Sequence, residues 1–232
     1  MVDQVAAPNT FIHVLGDGLV YAQFVLQTKA NIPDPTLKAA IEAALGTQDV
    51  TITGMKAFTR LEVINANVYD LTGLEHATNL TYLDLTGNDI ADINAIGALS
   101  ALTTLGLGQN RIVDCSPLAS LAQLDRVFLN DNQISDVSAF AGMKHLTLVN
   151  LNDNLVETIE SFAQLPLLEV AWLNHNQISE VSPLVGLGQL GWLSLIGNPL
   201  DHVTGQEWAA LKQTVEQKNL GKSLHSPFQF VQ

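Results

Sequence analysis

The chain has 232 residues, 47% hydrophobic and 14% charged, with a mean hydropathy of +0.21, so it can bury a large core and is not disordered. Ten Lys and Arg against 23 Asp and Glu give a net charge of -13, which repels nucleic-acid backbones and anionic lipid headgroups. No apolar run approaches the ~18 residues of a membrane span, the N-terminus lacks the positive stretch of a signal peptide, and the single cysteine, Cys115, excludes an intrachain disulfide and a cysteine-rich zinc site.

Residues 1–31 are an N-terminal extension in which two apolar runs between Phe11 and Leu26 flank Gly16-Asp17-Gly18, the pattern of a β-hairpin. Residues 32–57 predict a cap. Asp34 precedes Pro35 at the first helical position, Leu37, Ile41 and Leu45 share one face, Gly46 is the stop, and Val50, Ile52 and Met55 begin a partial repeat.

From residue 58 to 200 the chain repeats. Asn88, Asn110, Asn132, Asn154, Asn176 and Asn198 stand 22 residues apart, each inside the phrase L-x-x-L-x-L-x-x-N-x-L. A weaker copy runs from Phe58 through Leu61, Val63 and Val68, with Ala66 in the asparagine's place, making about seven units. Further apolar columns follow in register: Leu71, Ile93, Cys115, Val137, Ile159, Val181, and Leu74, Ile96, Leu118, Phe140, Phe162, Leu184. The alternating L-x-L puts one side of a short strand into the core. A buried asparagine amide can satisfy the backbone groups of the bend that follows and stack on its counterpart in the next coil. About eleven residues then remain before the next parallel strand, too few for a full crossover helix, so the return is expected to be 3₁₀ or extended. Asp70, Asp92, Asp114, Asp136 and Glu180 are placed to cap those turns. In residues 201–232, Thr204-x-x-Glu207 is a capping box that opens a second cap helix with Trp208, Leu211 and Val215 over the last coil.

Phrases such as Asp114-Cys115-Ser116-Pro117-Leu118 and Glu180-Val181-Ser182-Pro183-Leu184 resemble the D-I-S-P-L segment of the 22-residue leucine-rich repeat of bacterial internalins, and the similarity runs from about Ile32 to Leu200. The expected fold is an α/β, right-handed leucine-rich-repeat solenoid: a parallel concave β-sheet, short 3₁₀ or extended convex segments, and helical N- and C-terminal caps. The resemblance implies a non-catalytic protein-binding module, secreted or on the cell surface of a bacterium, that engages a host or neighbouring-cell receptor. Eukaryotic repeats of related pattern regulate phosphatases, which leaves an intracellular scaffold or regulatory subunit as another reading.

Parallel strands lie ~4.8 Å apart, so equivalent outward positions form columns across the sheet. The first is Arg60, Tyr82, Thr104, Arg126, Leu148, Val170, Trp192; the second Glu62, Asp84, Gly106, Phe128, Asn150, Trp172, Ser194. The third is Ile64, Thr86, Gly108, Asn130, Asn152, Asn174, Ile196, and a rim column holds Asn65, Gly87, Gln109, Asp131, Asp153, His175, Gly197. Strand parity points Phe128, Leu148, Val170, Trp172 and Trp192 away from the core, an apolar patch on the order of 300 to 500 Å². With Arg126, Tyr82 and Asn150 it has the composition of a protein-binding surface, unless the C-terminal cap or a second copy covers it. Asn130, Asn152 and Asn174 form either an amide ladder or, beside the tryptophans, the hydrogen-bonding side of a carbohydrate site. Asp131 and Asp153 are the weak candidates for a metal, calcium by their carboxylates, with His175 better suited to a transition metal; the mixed set reads as solvated rim charge, and no cofactor is expected. Three positions of offset keep Ser194 away from His175 and Asp153, Cys115 sits in a core column, His13, His76, His145, His202 and His225 share no ligand spacing, and no phosphate loop or hydrolase motif occurs, so no enzyme activity is expected.

Overall fold

The computed structural model describes residues 28–219. Their first segment is tied down at once: Lys29 bridges Thr51 in antiparallel fashion, with Ala30 N–H donating to Val50 at 3.0 Å and Ile52 N–H to Thr28 at 2.8 Å. Helix α1, Pro35–Leu45, follows with Asp34 as its N-cap and Gly46 in the left-handed conformation (φ 66°) as its stop. Leu37 and Ile41 are fully buried beneath it. The expected hairpin between Phe11 and Leu26 lies outside the described residues.

Seven strands come next: β1 Arg60–Glu62, β2 Tyr82–Asp84, β3 Thr104–Gly106, β4 Arg126–Phe128, β5 Leu148–Asn150, β6 Val170–Trp172 and β7 Trp192–Ser194. They form one parallel sheet in chain order, and each residue pairs with the one 22 positions later, Arg60 with Tyr82, Tyr82 with Thr104 and so on to Val170 with Trp192. Register therefore equals repeat length, and the columns read from the chain are physical columns.

The returns are 3₁₀ turns at Gly54–Ala57, Leu74–His76, Asn94–Ala98, Ser116–Ser120, Ser138–Gly142, Glu160–Gln164 and Ser182–Leu184. Before four of them a carboxylate, Asp70, Asp92, Asp114 or Asp136, accepts the backbone N–H two residues on at 2.8 Å, an Asx turn that aims the chain into the tight helix. Glu180, one methylene longer, makes no such cap, and the turn at Ser182 has no side-chain cap bond. Between sheet and turns lies a continuous leucine-rich core, fully closed from Leu74 through Leu173, in which the Phe140 and Phe162 rings stack at 6.0 Å.

The repeated asparagines bond backbone groups rather than one another. Asn132 is representative: Nδ2 donates to the carbonyls of Leu129 and Asn130 in its own coil and of Leu107 in the coil before, and Oδ1 accepts Ile112 N–H, also in the coil before. The bend leaves backbone donors and acceptors that need partners, and the amides supply them, the Leu107 and Leu129 carbonyls each accepting from two successive asparagines. Ala66 stands where the first coil would have its asparagine, and that coil has no complete predecessor to serve; its own Ala66 and Val68 N–H groups donate to Asn88 Oδ1.

Helix α2, Gly205–Asn219, closes the C-terminal end. Its capping box forms as spaced, with Thr204 N–H on Glu207 Oε2 at 2.8 Å and Glu207 N–H on Thr204 Oγ1 at 3.3 Å. Leu211 and Val215 are buried, and Thr214 Oγ1 accepts Gly186 N–H at 3.1 Å, so α2 packs on the 3₁₀ side of the last coil.

Candidate functional site

Each outward position on β4 to β6 is fixed twice, by its in-register neighbour and by an inward residue buried in the core, while on β7 the inward Leu193 is half-buried. On β4, β5 and β6 the inward anchors Val127, Val149 and Ala171 are fully buried. Arg126, Leu148, Val170 and Trp192 consequently line up across four strands, and Phe128, Asn150 and Trp172 line up beside them. Phe128, Leu148, Val170 and Trp172 are half-buried, whereas Trp192 on the terminal strand is 41% exposed. Helix α2 sits on the other side of the last coil and does not cover this face.

Tyr82 stands apart from that group. Its ring lies under the Arg60 guanidinium, 3.6 Å from the centroid, and Arg60 is ion-paired to Glu62. Between Tyr82 and Arg126 lies β3, where Gly106, and just past the strand Gly108, carry no side chain. A Cβ at Gly106 would meet Asp84 Oδ1 at 2.6 Å, and one at Gly108 would meet Asn130 Oδ1 at 2.7 Å. The carboxylate and the amide lean over the glycines from both sides and divide the face into a polar N-terminal part and an apolar C-terminal part.

The third column is wired to backbone. Asn152 Oδ1 accepts Asn174 N–H at 2.8 Å, and Asn174 Oδ1 accepts Ile196 N–H at 2.9 Å and the Ser194 hydroxyl at 2.5 Å. Asn130 turns instead to Asp131, donating from Nδ2 at 2.7 Å, and accepts from Asn150 at 3.2 Å, while Asn150 Oδ1 accepts Asn152 N–H. No continuous amide-to-amide ladder forms. Because backbone donors fix which side of each amide faces the sheet, the Nδ2 hydrogens of Asn152 and Asn174 point away from it, with no acceptor among the described residues.

The rim column has one backbone conformation throughout. Asn65, Gly87, Gln109, Asp131, Asp153, His175 and Gly197 all have φ between 53° and 74°, the left-handed region that Gly, Asn, Asp and His tolerate best. Turn geometry thus accounts for the acidic-histidine run. Asp153 Oδ1 lies 2.8 Å from His175 Nδ1, Asp131 is engaged by Asn130, and among the described residues no group of three potential ligands is placed to hold a metal. The Ser194 hydroxyl is given to Asn174 rather than to His175.

Comparison with known proteins agrees with this geometry. A family model described as leucine-rich repeats in two copies matches residues 78–120. No curated protein matches the chain. Among solved structures, an internalin (inlF) of Listeria monocytogenes is 32% identical over 75% of this chain, with a TM-score of 0.62, and the chain spans 59% of that protein's length. Internalin C2 (inlC2) of the same organism is 28% identical, with 82% of this chain and 96% of that one covered and a TM-score of 0.64. The chain has the leucine-rich-repeat solenoid fold of these internalins. A leucine-rich-repeat protein of Leptospira interrogans, 20% identical over 72% of this chain and 49% of its own with a TM-score of 0.52, shares the fold.

The internalin-type fold is that of a protein-interaction module. Cys115, in a core column, is consistent with that: burial pushes its thiol up to about 12, with Asp136 and Asp114 adding to the effect, and Sγ–H donates to the Asp136 carbonyl at 3.0 Å. Two features escape the repeat pattern. One is the outward pair of amide donors on Asn152 and Asn174. The other is the double role of Asp34, whose Oδ1 caps α1 through Thr36 and Leu37 N–H while Oδ2 accepts Tyr69 N–H at 2.9 Å and Asp70 N–H at 3.4 Å. Nothing in its spacing announces a contact 35 residues away.

Proposed function

We propose that this leucine-rich-repeat protein is a non-catalytic binder of another protein, secreted or held at a bacterial cell surface, and that it grips its partner with the apolar half of the sheet's outer face. Trp172 and Trp192 are the anchors, with Phe128, Leu148, Val170, Asn150 and Arg126 around them; Tyr82, across the glycine strand and occupied by Arg60, is a peripheral contact. The observation that carries this reading is the alignment of large apolar side chains on rigid, in-register strands, outside the core and uncovered by α2. Such a patch is the size and composition of an interaction site, and aromatic anchors with Arg are what dominate protein interfaces. Among the described residues no helix is long and apolar enough to cross a membrane. Similarity to two Listeria internalins supports the location outside the cell.

Affinity capture from host-cell surface extract, comparing wild type with a Trp172→Ser, Trp192→Ser double variant of unchanged Tm, tests it. A protein retained by wild type alone is the expected result; equal retention by both refutes the site. A second reading, carbohydrate binding, is favoured by the outward Nδ2 donors of Asn152 and Asn174 next to Trp172 and Trp192, since sugar faces stack on indoles while hydroxyls take amide hydrogens. Tryptophan emission that shifts with simple glycans, and loses the shift in Asn152→Ala, would establish that alternative.

A further inference from the structure

Building on the protein-binding reading, we propose that the partner presents a basic amphipathic helix of about three turns, laid across strands β4 to β7. The argument begins with the shape of the apolar stripe. It runs from Phe128 on β4 to Trp192 on β7, three strand spacings or about 14 Å, and it is two columns wide, about 7 Å between residues i and i+2. Fourteen ångströms is the rise of roughly ten helical residues.

Carboxylates line both long edges of the stripe. Before the strands stand Asp125 and Glu169; beyond them, on the left-handed rim, stand Asp131 and Asp153. Among the described residues the basic side chains on these edges are Arg126, 3.5 Å from Asp125, and His175, whose Nδ1 lies 2.8 Å from Asp153 Oδ1. Four carboxylates thus face one guanidinium and one imidazole, on a molecule whose net charge is -13. A carboxylate has about four acceptor sites, and Asp125, engaged by Arg126 and Thr147, Asp131, engaged by Asn130, and Asp153, engaged by His175, keep capacity for cations arriving from a partner on both sides.

The spacing between the edges selects a helix over an extended segment. From Asp125 to Asp131 is six residue steps, at most about 20 Å of chain. A helix is about 10–12 Å across with its side chains, and lysines or arginines flanking its apolar stripe splay outward and reach further on both sides. An extended strand sends alternate side chains straight into the sheet or straight out to solvent, and so cannot bury one set while placing basic groups at both edges. Recognition would then follow i, i+3, i+4, i+7 spacing on the partner.

The test uses synthetic 14-residue Leu/Lys, Leu/Gln and Leu/Glu amphipathic peptides with the same leucine face, titrated into the full chain and followed by tryptophan emission and calorimetry. Leu/Lys should bind at least about tenfold more tightly than Leu/Gln, and Leu/Glu should not bind. Asp131→Asn with Asp153→Asn should weaken Leu/Lys binding by about tenfold, since Asn keeps the left-handed turn but removes the charge. Asp92→Asn with Asp114→Asn, which removes as much charge on another side of the coil, should leave it within about twofold. Equal weakening by the two pairs would reduce the effect to bulk charge and overturn the proposal, as would unchanged binding to the Trp172→Ser, Trp192→Ser variant. If Leu/Gln bound as tightly as Leu/Lys, or if no peptide bound while the capture experiment still returned a tryptophan-dependent partner, the basic helix would be refuted and the protein-binding face would stand. Failure of both experiments refutes both. Saturable, Asn152-dependent binding of glycans alone would replace the helix with a sugar.

Discussion

Replacing Asp34 by Asn isolates half of one buried carboxylate. Asp34 is fully buried, and its two oxygens accept four backbone N–H groups, two at the start of α1 and two in the first coil, at Tyr69 and Asp70. Burial by itself pushes its pKa upward, but the bonds from Leu37, Tyr69, Asp70 and Thr36 together outweigh it and hold the carboxyl below its ordinary value. In the Asn variant the remaining oxygen can still cap the helix, whereas the new NH₂ group confronts the N–H of Tyr69. Hydrogen bonds to a charged group are worth roughly 1.5–3 kcal/mol each; one good bond at 2.9 Å and one long bond at 3.4 Å are lost, so the expected cost is about 2–4 kcal/mol. For a chain of this size that lowers Tm by roughly 5–15 °C. The sign of the pH dependence follows from the lowered pKa. The carboxylate's contribution is complete above the unfolded value of about 3.9 and is lost as pH falls through the lower folded value. Urea unfolding of wild type and Asp34→Asn should therefore show a constant gap from pH 5 to 8 that narrows below about pH 4. A variant as stable as wild type at pH 7, or a gap indifferent to acid, would refute the claim that this carboxylate ties the cap to the solenoid.

Asn132→Ala removes four hydrogen bonds, two within its own coil and two to the coil before, and should cost about 3–5 kcal/mol, visible in urea unfolding and as new proteolytic cleavage near residues 107–112. Cys115 should resist thiol reagents at pH 8 until the protein unfolds; since its folded pKa, about 12, exceeds the unfolded ~8.5, stability should decline as pH rises above ~8.5, and Cys115→Val should flatten that alkaline slope. Gly106→Ala sets a Cβ against Asp84 and should lower stability by about 1–2 kcal/mol. Adding Asp84→Ala should recover most of that loss in a double-mutant cycle, and strictly additive effects would show that the carboxylate is not what requires glycine there.

How much could be read in advance depended on whether a residue's role is set by its own coil. The leucine columns, the seven strands and the outward direction of Trp172 follow from period-2 parity and a constant 22-residue step, both local properties. Both helix caps were legible for the same reason, because Asp34-Pro35 and Thr204-x-x-Glu207 act within one turn. The ladder partners of Asn132 were not, since its amide chooses between another side chain and a backbone carbonyl at a distance that only coil-to-coil packing decides. The rim residues Asp131, Asp153 and His175 looked chemical as a set until their shared positive φ explained them. Degree of exposure was hardest of all: Phe128 and Trp172 point outward as parity requires, yet both are half-buried, and Tyr82, a plausible interface tyrosine, is taken by Arg60.

The asparagine column also gives the molecule a direction. From Val68 to Ile178 each bend has a backbone N–H completed by an amide oxygen of the following coil, so these side-chain bonds all point one way, although backbone groups such as Arg111 and Gln133 N–H donate to the coil before. Removing the last coil orphans the Ile178 N–H that Asn198 Oδ1 now satisfies, while the Leu173 carbonyl keeps only the Asn176 amide. Unravelling should therefore advance from the C-terminal end toward α1, like a zipper with its slider at one end. The tryptophan-bearing strands β6 and β7 stand closest to that end, so the stability of the terminal coil sets how long the binding surface keeps its shape.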